Sequence, residues 1–139
     1  MKDLQYKVID KVEENTPVYD LLKKSGEYYN INLFNFLISQ PVKLIAIYTT
    51  LSDKDGLIGI FFIRIDDRID NVKELVILFP FHDVKGLKDF SALVDPYSVI
   101  TAKQNECKFL RVNTHLRAMG KILEKLNYEI AEYSYIKEV

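Results

Sequence analysis

One stretch concentrates the chain's chemistry: Leu75-Val76-Ile77-Leu78-Phe79-Pro80-Phe81-His82-Asp83-Val84-Lys85-Gly86-Leu87-Lys88. An apolar run of strand character meets a proline, and a glycine then opens a helical pattern. Pro80 lacks the N–H that a strand ladder uses, so it favours a bulge or a strand that leaves its neighbour. The N–H groups of the turn from Asp83 to Lys88, with the positive end of the helix that follows, form a potential anion site to which Lys85 and Lys88 add charge. The same residues also suit an ordinary strand-to-helix turn with solvated lysines. Glu74, near the start of the run, has the carboxylate that a general base needs, and equally suits a solvated strand end. His82, at the far end, carries an imidazole, the side-chain type whose ordinary range lies near neutrality, and suits either a base or an exposed turn residue. His115 reads as structural, at a helix start that Thr114 or Asn113 would cap. Cys107 has no base indicated beside it and reads as a buried small side chain. Cys107, His82 and His115 lack paired zinc-ligand spacing, so no metal is expected.

These residues need elements to hold them. Gln5 to Val12 alternates as a strand, β1. Asn15-Thr16-Pro17 combines a capping side chain with a proline suited to the first helical turn, and Val18, Leu21 and Leu22 follow at helical spacing, giving α1 up to Ser25-Gly26. Ile31 to Gln40 is apolar all round and predicts a short buried helix, α2, stopped before Pro41. Three β-branched and aromatic runs separated by polar turns then predict a meander: β2 (44–51), β3 (57–65) and β4 (73–81). Its continuous apolar runs require cover on both faces, which helices must supply. Helical spacing returns from Gly86, is interrupted at Asp95-Pro96, and restarts with Asp95 as cap; both pieces, to about Gln104, are α3. Cys107 to Val112 is β5, His115 to Leu126 is α4, and Tyr128 to Lys137 alternates into β6. A β4-α3-β5 unit is a parallel crossover, whereas the preceding strands pair as antiparallel hairpins. The fold class is α/β (α+β): a mixed, mostly antiparallel sheet of about six strands, with helices on both faces, in the order β1-α1-α2-β2-β3-β4-α3-β5-α4-β6.

Composition narrows the function. The 139 residues carry 19 Lys+Arg against 20 Asp+Glu, and 48% are hydrophobic. That length makes one domain, 1–139, which buries roughly 68% of its unfolded surface without disulfides or metal. A net charge of −1 gives no electrostatic case for nucleic acid or anionic lipid. Apolar runs fall far short of the ~20 residues that span a bilayer. With no signal-peptide pattern at Met1 to Lys7 and a single cysteine, a cytoplasmic protein is expected.

The order of elements and three local patterns resemble the GNAT superfamily of acyl-CoA-dependent N-acyltransferases, over nearly the whole chain. That family's turn after β4 reads Pro, Arg or Gln, Gly, an aliphatic residue and a small residue at set spacing; Pro80, Asp83, Gly86, Leu87 and Lys88 fall there. Its α4 pattern falls on His115, Ala118, Ile122-Leu123 and Lys125-Leu126-Asn127-Tyr128, and the strand Ile130 to Ile136 ends the chain as the family's does. The resemblance implies transfer of an acetyl group from acetyl-CoA to an amine acceptor, a small molecule or a protein, by a monomer or homodimer. It implies an acyl-CoA site at Phe79, Phe81, Asp83, Val84, Lys85, Gly86, Leu87 and Lys88, an oxyanion contact from a β4 N–H near Phe79, and Glu74 as base, beside the His82 reading above. Tyr28, Tyr29, Phe34 and Phe36 fall where the family lines its acceptor side. The motif is degenerate: Asp83 replaces Arg or Gln, Lys88 replaces the small residue, and Leu123 replaces the tyrosine acid, for which Tyr128, Tyr133 or Tyr135 would substitute. The alternative is a GNAT-like module of viral or mobile-element type that has lost the cofactor and serves interaction or structure.

Overall fold

The computed structural model describes residues 4–25, 35, 42–48, 56–68, 70–82, 90–112, 117–130, 135, 137 and 138. Within them, five strands make one sheet in the order β1 (Gln5–Ile9), β2 (Val42–Tyr48), β3 (Leu57–Asp67), β4 (Lys73–His82) and β5 (Phe109–Val112). Neighbours from β1 to β4 are antiparallel, and β4 with β5 is parallel, as the expected crossover requires. The expected β6 falls in good part outside the described residues: 131–134 and 136 are not described, and Tyr128 to Ile130, Tyr135 and Lys137, which are, lie outside any strand.

Alternation along the strands divides the apolar side chains between two cores. Ile45, Ile47, Phe61, Ile63, Leu75 and Ile77 face Leu93, Val94, Ala102 and Leu123 from the helices of the C-terminal half. Leu44, Ala46, Ile60 and Phe62 face Val18, Leu21 and Leu22 of α1 (Pro17–Ser25). Helices therefore cover both faces, as the unbroken apolar runs demand. Thr16 starts α1: its Oγ1 accepts the Tyr19 N–H at 3.3 Å and donates to the Glu13 carbonyl at 2.6 Å. Pro17 takes the first helical position, where a missing N–H costs nothing.

The expected α2 lies outside the described residues apart from Asn35, which is helical. Its side-chain amide imitates a strand neighbour. Oδ1 accepts the Val12 N–H at 2.9 Å and Nδ2 donates to the Val12 carbonyl at 3.1 Å.

Between β4 and β5 the chain makes one π-helical turn, Phe90–Val94, that runs unbroken into α3 (Asp95–Gln104). Asp95 does not cap a restarted helix: Val94 holds the cap position, without a side-chain hydrogen bond. The wider turn accommodates Pro96, which has no N–H for an α-helical ladder. The Asp95 carboxylate instead accepts the Tyr128 hydroxyl at 2.6 Å. Both later helices end on the same device. After α3, the Cys107 N–H donates to the Ala102 carbonyl and the Glu106 N–H to Lys103; after α4 (Arg117–Lys125), Tyr128 donates to Leu123 and Asn127 to Glu124. This double bond needs a left-handed residue at its corner, supplied by Glu106 (φ 59°) and Asn127 (φ 68°).

Candidate functional site

The parallel ladder between β4 and β5 has only four partner pairs, from Glu74 with Phe109 to Ile77 with Val112. Beyond Ile77, β4 continues to His82, paired with β3 but, among the described residues, not with β5. Ile77 and Val112 thus end the described ladder at the carboxyl ends of two parallel strands, the position at which open α/β sheets bind ligands, and residues 113–116, which follow β5, lie outside the described residues.

Pro80 interrupts the β3–β4 register at this end. Ile60 faces Phe81 and Phe62 faces Leu78, so Phe79 and Pro80 together oppose Phe61. This is the bulge that a proline inside a strand predicts. It reverses the alternation of β4: Leu75 and Ile77 belong to one core, yet Phe81 packs against the other. A second bulge at the same end, where Ile47 faces Gly59 and Tyr48 faces Leu57, leaves Ile58 unpaired and sends it to the core opposite Ile60. Nothing in the sequence marks that one, because Ile58 fits either face.

Glu74 begins the β4–β5 ladder. Its relative exposure is 7%, not that of a solvated strand end, and its Oε1 accepts Arg111 Nε at 2.9 Å. Eight residues of strand separate it from His82, about 25 Å at the usual rise. On the same face its β3 partner is Asp66, held in two hydrogen bonds by Arg64 Nε (2.8 Å) and Nη2 (2.9 Å). Arg64 and Asp66 of β3, Glu74 of β4 and Arg111 of β5 thus form a charge-balanced row across three neighbouring strands. Sequence reasoning missed this row, since Glu74 and Arg111 are 37 positions apart.

The backbone of His82 ends β4 opposite Gly59, at the carboxyl end of the strand. Phe79 contributes to the bulge, and Phe81 is half-buried against the α1 core. Asp83, Val84, Lys85, Gly86, Leu87 and Lys88 lie outside the described residues, as do His115, Tyr28, Tyr29, Phe34, Phe36 and Tyr133. Leu123 is buried beneath α4. Of the tyrosines considered in its stead, Tyr135 is 91% exposed, and Tyr128 is committed to Asp95. Burial and that hydrogen bond push the Tyr128 phenol far above its ordinary range, so it holds its proton. A further phenol, Tyr6, donates to the Leu93 carbonyl of the π turn at 2.7 Å and stacks on Tyr97 at 4.4 Å between centroids. Burial, and Tyr97 beside it, raise its pKa too. Cys107 is half-buried, and burial pushes its thiol up, the reverse of what a nucleophile needs. Among the described residues no three His, Cys, Asp or Glu side chains could hold a metal ion, and no helix is long and apolar enough to cross a membrane.

No family model matches the chain, and no curated protein does. Solved structures match over its full length. An acetyltransferase of Trypanosoma brucei is 14% identical, with 99% of this chain and 100% of that one covered and a TM-score of 0.72. The ribosomal-protein-alanine N-acetyltransferase of Brucella melitensis biovar Abortus 2308 is 11% identical, with the same coverage and a TM-score of 0.74. The glucosamine-6-phosphate N-acetyltransferase of Arabidopsis thaliana is 13% identical over 96% of this chain and 98% of that one, with a TM-score of 0.70. The fold is therefore the GNAT fold, carried by a divergent sequence.

Proposed function

We propose that the chain is an N-acyltransferase that moves an acetyl group from acetyl-CoA to an amine. The observations that support the reading are the parallel strand ends at Ile77 and Val112 and the Phe79–Pro80 bulge beside them, within a fold shared with acetyltransferases. In this reading β4 and β5 part beyond Ile77 and the thioester lies in the opening between them. The pyrophosphate rests on the N–H groups of the turn 83–88, with Lys85 and Lys88 supplying charge and Gly86 letting the ligand approach. The amine loses a proton to a base and attacks the carbonyl carbon, a β4 N–H near Phe79 receives the oxyanion, and the C–S bond breaks as the thiolate leaves and is protonated. We assign the base to His82, on its place at the carboxyl end of β4; Glu74 is separated from that end and engaged by Arg111.

Acetyl-CoA at ~100 times its Kd adds about 2.7 kcal/mol to a binding-competent fold, raising the melting temperature by roughly 5 to 10 °C. Gly86→Trp is expected to abolish that shift. No shift at millimolar acetyl-CoA refutes the reading. With turnover established, His82→Gln removes the loss of rate on the acid side of neutrality; an unchanged pH profile removes His82 from the mechanism.

A further inference from the structure

The π turn Phe90–Val94 is an α-helix with one residue inserted, a form that recurs at functional sites and needs something to hold it against the ordinary helix. Two features oppose the α-helical alternative. Pro96 has no N–H, and in a continuous α-helix its ring would crowd the carbonyl of Ala92, four residues back. The second feature comes from across the sheet. Leu93, buried at 1% exposure, has a carbonyl that accepts the hydroxyl of Tyr6 at 2.7 Å, from β1 and 87 positions away. The next carbonyl, that of Val94, accepts the buried Ser98 hydroxyl at 2.8 Å.

Tyr6 is aimed at that carbonyl by its own neighbours. Its ring stacks on Tyr97 of α3 at 4.4 Å between centroids and meets Phe61 of β3 edge-on at 6.5 Å, while Tyr97 meets Phe61 edge-on at 5.7 Å. Phe61 is fully buried and is the residue opposite the Phe79–Pro80 bulge. One phenol thus joins the edge strand, the bulged hairpin, the π turn and the helix behind it. Burial keeps its proton in place, so it remains a donor at neutral pH.

We infer that Tyr6 is a positioning residue whose hydroxyl locks Phe90–Val94 in the π register. The consequence for the ligand rests on the function proposed above. Relaxation to an α-helix displaces what precedes the turn by one helical position, about 1.5 Å and 100°. The segment 83–88, assigned there to the pyrophosphate, ends two positions before Phe90. Tyr6 therefore contributes to acetyl-CoA binding without touching the ligand.

The test uses the full chain and reads backbone carbon NMR shifts of 90–94, amide exchange of 93–98, and Kd for acetyl-CoA by titration calorimetry. Tyr6→Phe keeps the stacked ring and removes the donor. It is expected to move the shifts to those of an ordinary α-helix and to speed exchange about tenfold, the factor that a neutral hydrogen bond is worth. Kd is expected to rise by a similar factor. Replacing Tyr6 with 4-aminophenylalanine, which keeps a donor at the same ring position, is expected to return all three quantities to their starting values. Pro96→Ala restores the missing N–H and leaves Tyr6 in place, so the π-turn shifts are expected to persist. The proposal is overturned if Tyr6→Phe leaves shifts and exchange unchanged, or moves them with Kd unaltered. Conversion to α-helical shifts in Pro96→Ala overturns it as well, and independently, because the proline would then hold the register. Should the wild-type chain bind no acetyl-CoA, the proposed function fails by itself, while shifts and exchange still decide whether Tyr6 holds the turn.

Discussion

Tyr128 shows how much a single hydroxyl can fasten in this molecule. It sits just past α4, where the left-handed Asn127 turns the chain, and its proton goes to Asp95 at the head of α3. The partners lie 33 positions apart, so no local pattern announces them. Tyr128→Phe leaves the ring in place and removes a hydrogen bond to a charged acceptor, an expected loss of about 2 kcal/mol at neutral pH in chemical denaturation. The phenol's folded pKa lies above the free value of 10.0, so the stability it adds is full below pH 10 and is lost as pH rises beyond it. Stability above pH 10 should therefore fall less steeply in the Phe variant. Asn35 was equally hidden, because an amide inside an apolar run reads as a flaw until its two bonds to Val12 are seen. The carboxylate of Asp83 was visible from the start and gives a signed expectation: Asp83→Asn should tighten acetyl-CoA binding several-fold, by removing a like charge from the pyrophosphate, measured by titration at low salt.

Elements were legible where a residue type leaves one option. Thr16-Pro17 starts α1, Pro80 bulges β4, and β3 and β4 read as strands because their β-branched runs suit nothing else. Legibility failed where two solutions share a sequence. Asp95-Pro96 fits a helix restart as well as a π turn, and it is the unbroken run of the turn into α3, with Val94 at the cap position, that removes the first. The helices carry two further expectations. Glu106 holds φ 59° without the freedom of glycine, so Glu106→Gly is expected to stabilise the fold by about 1 kcal/mol, or roughly 3 °C in melting temperature. Gly120 lies inside α4, where an added Cβ meets nothing within 4 Å. Gly120→Ala should add about 0.5–1 kcal/mol, checked by the same melts.

At the scale of the molecule, one sheet is the shared wall of two cores, so neither can form without the other. Leu22→Ala beneath α1 and Leu93→Ala beneath the π turn are each expected to cost about 2–5 kcal/mol, and unfolding should remain a single transition by fluorescence and circular dichroism in both. Two separate transitions would show the halves to be independent. The two bulges add something about how such a chain can change over time. Phe61 and Phe62 are neighbours in sequence yet belong to different cores, and each bulge is a fixed change of parity that decides which residues beyond it go to which side. Substitution can run far under such a rule, as relatives in shape at 11% and 14% identity illustrate. Length cannot: one residue gained or lost within β3 or β4 would exchange the inventories of the two cores, so insertions are admissible only where the chain turns, as at the exposed Asp70-Asn71 tip of the β3–β4 hairpin.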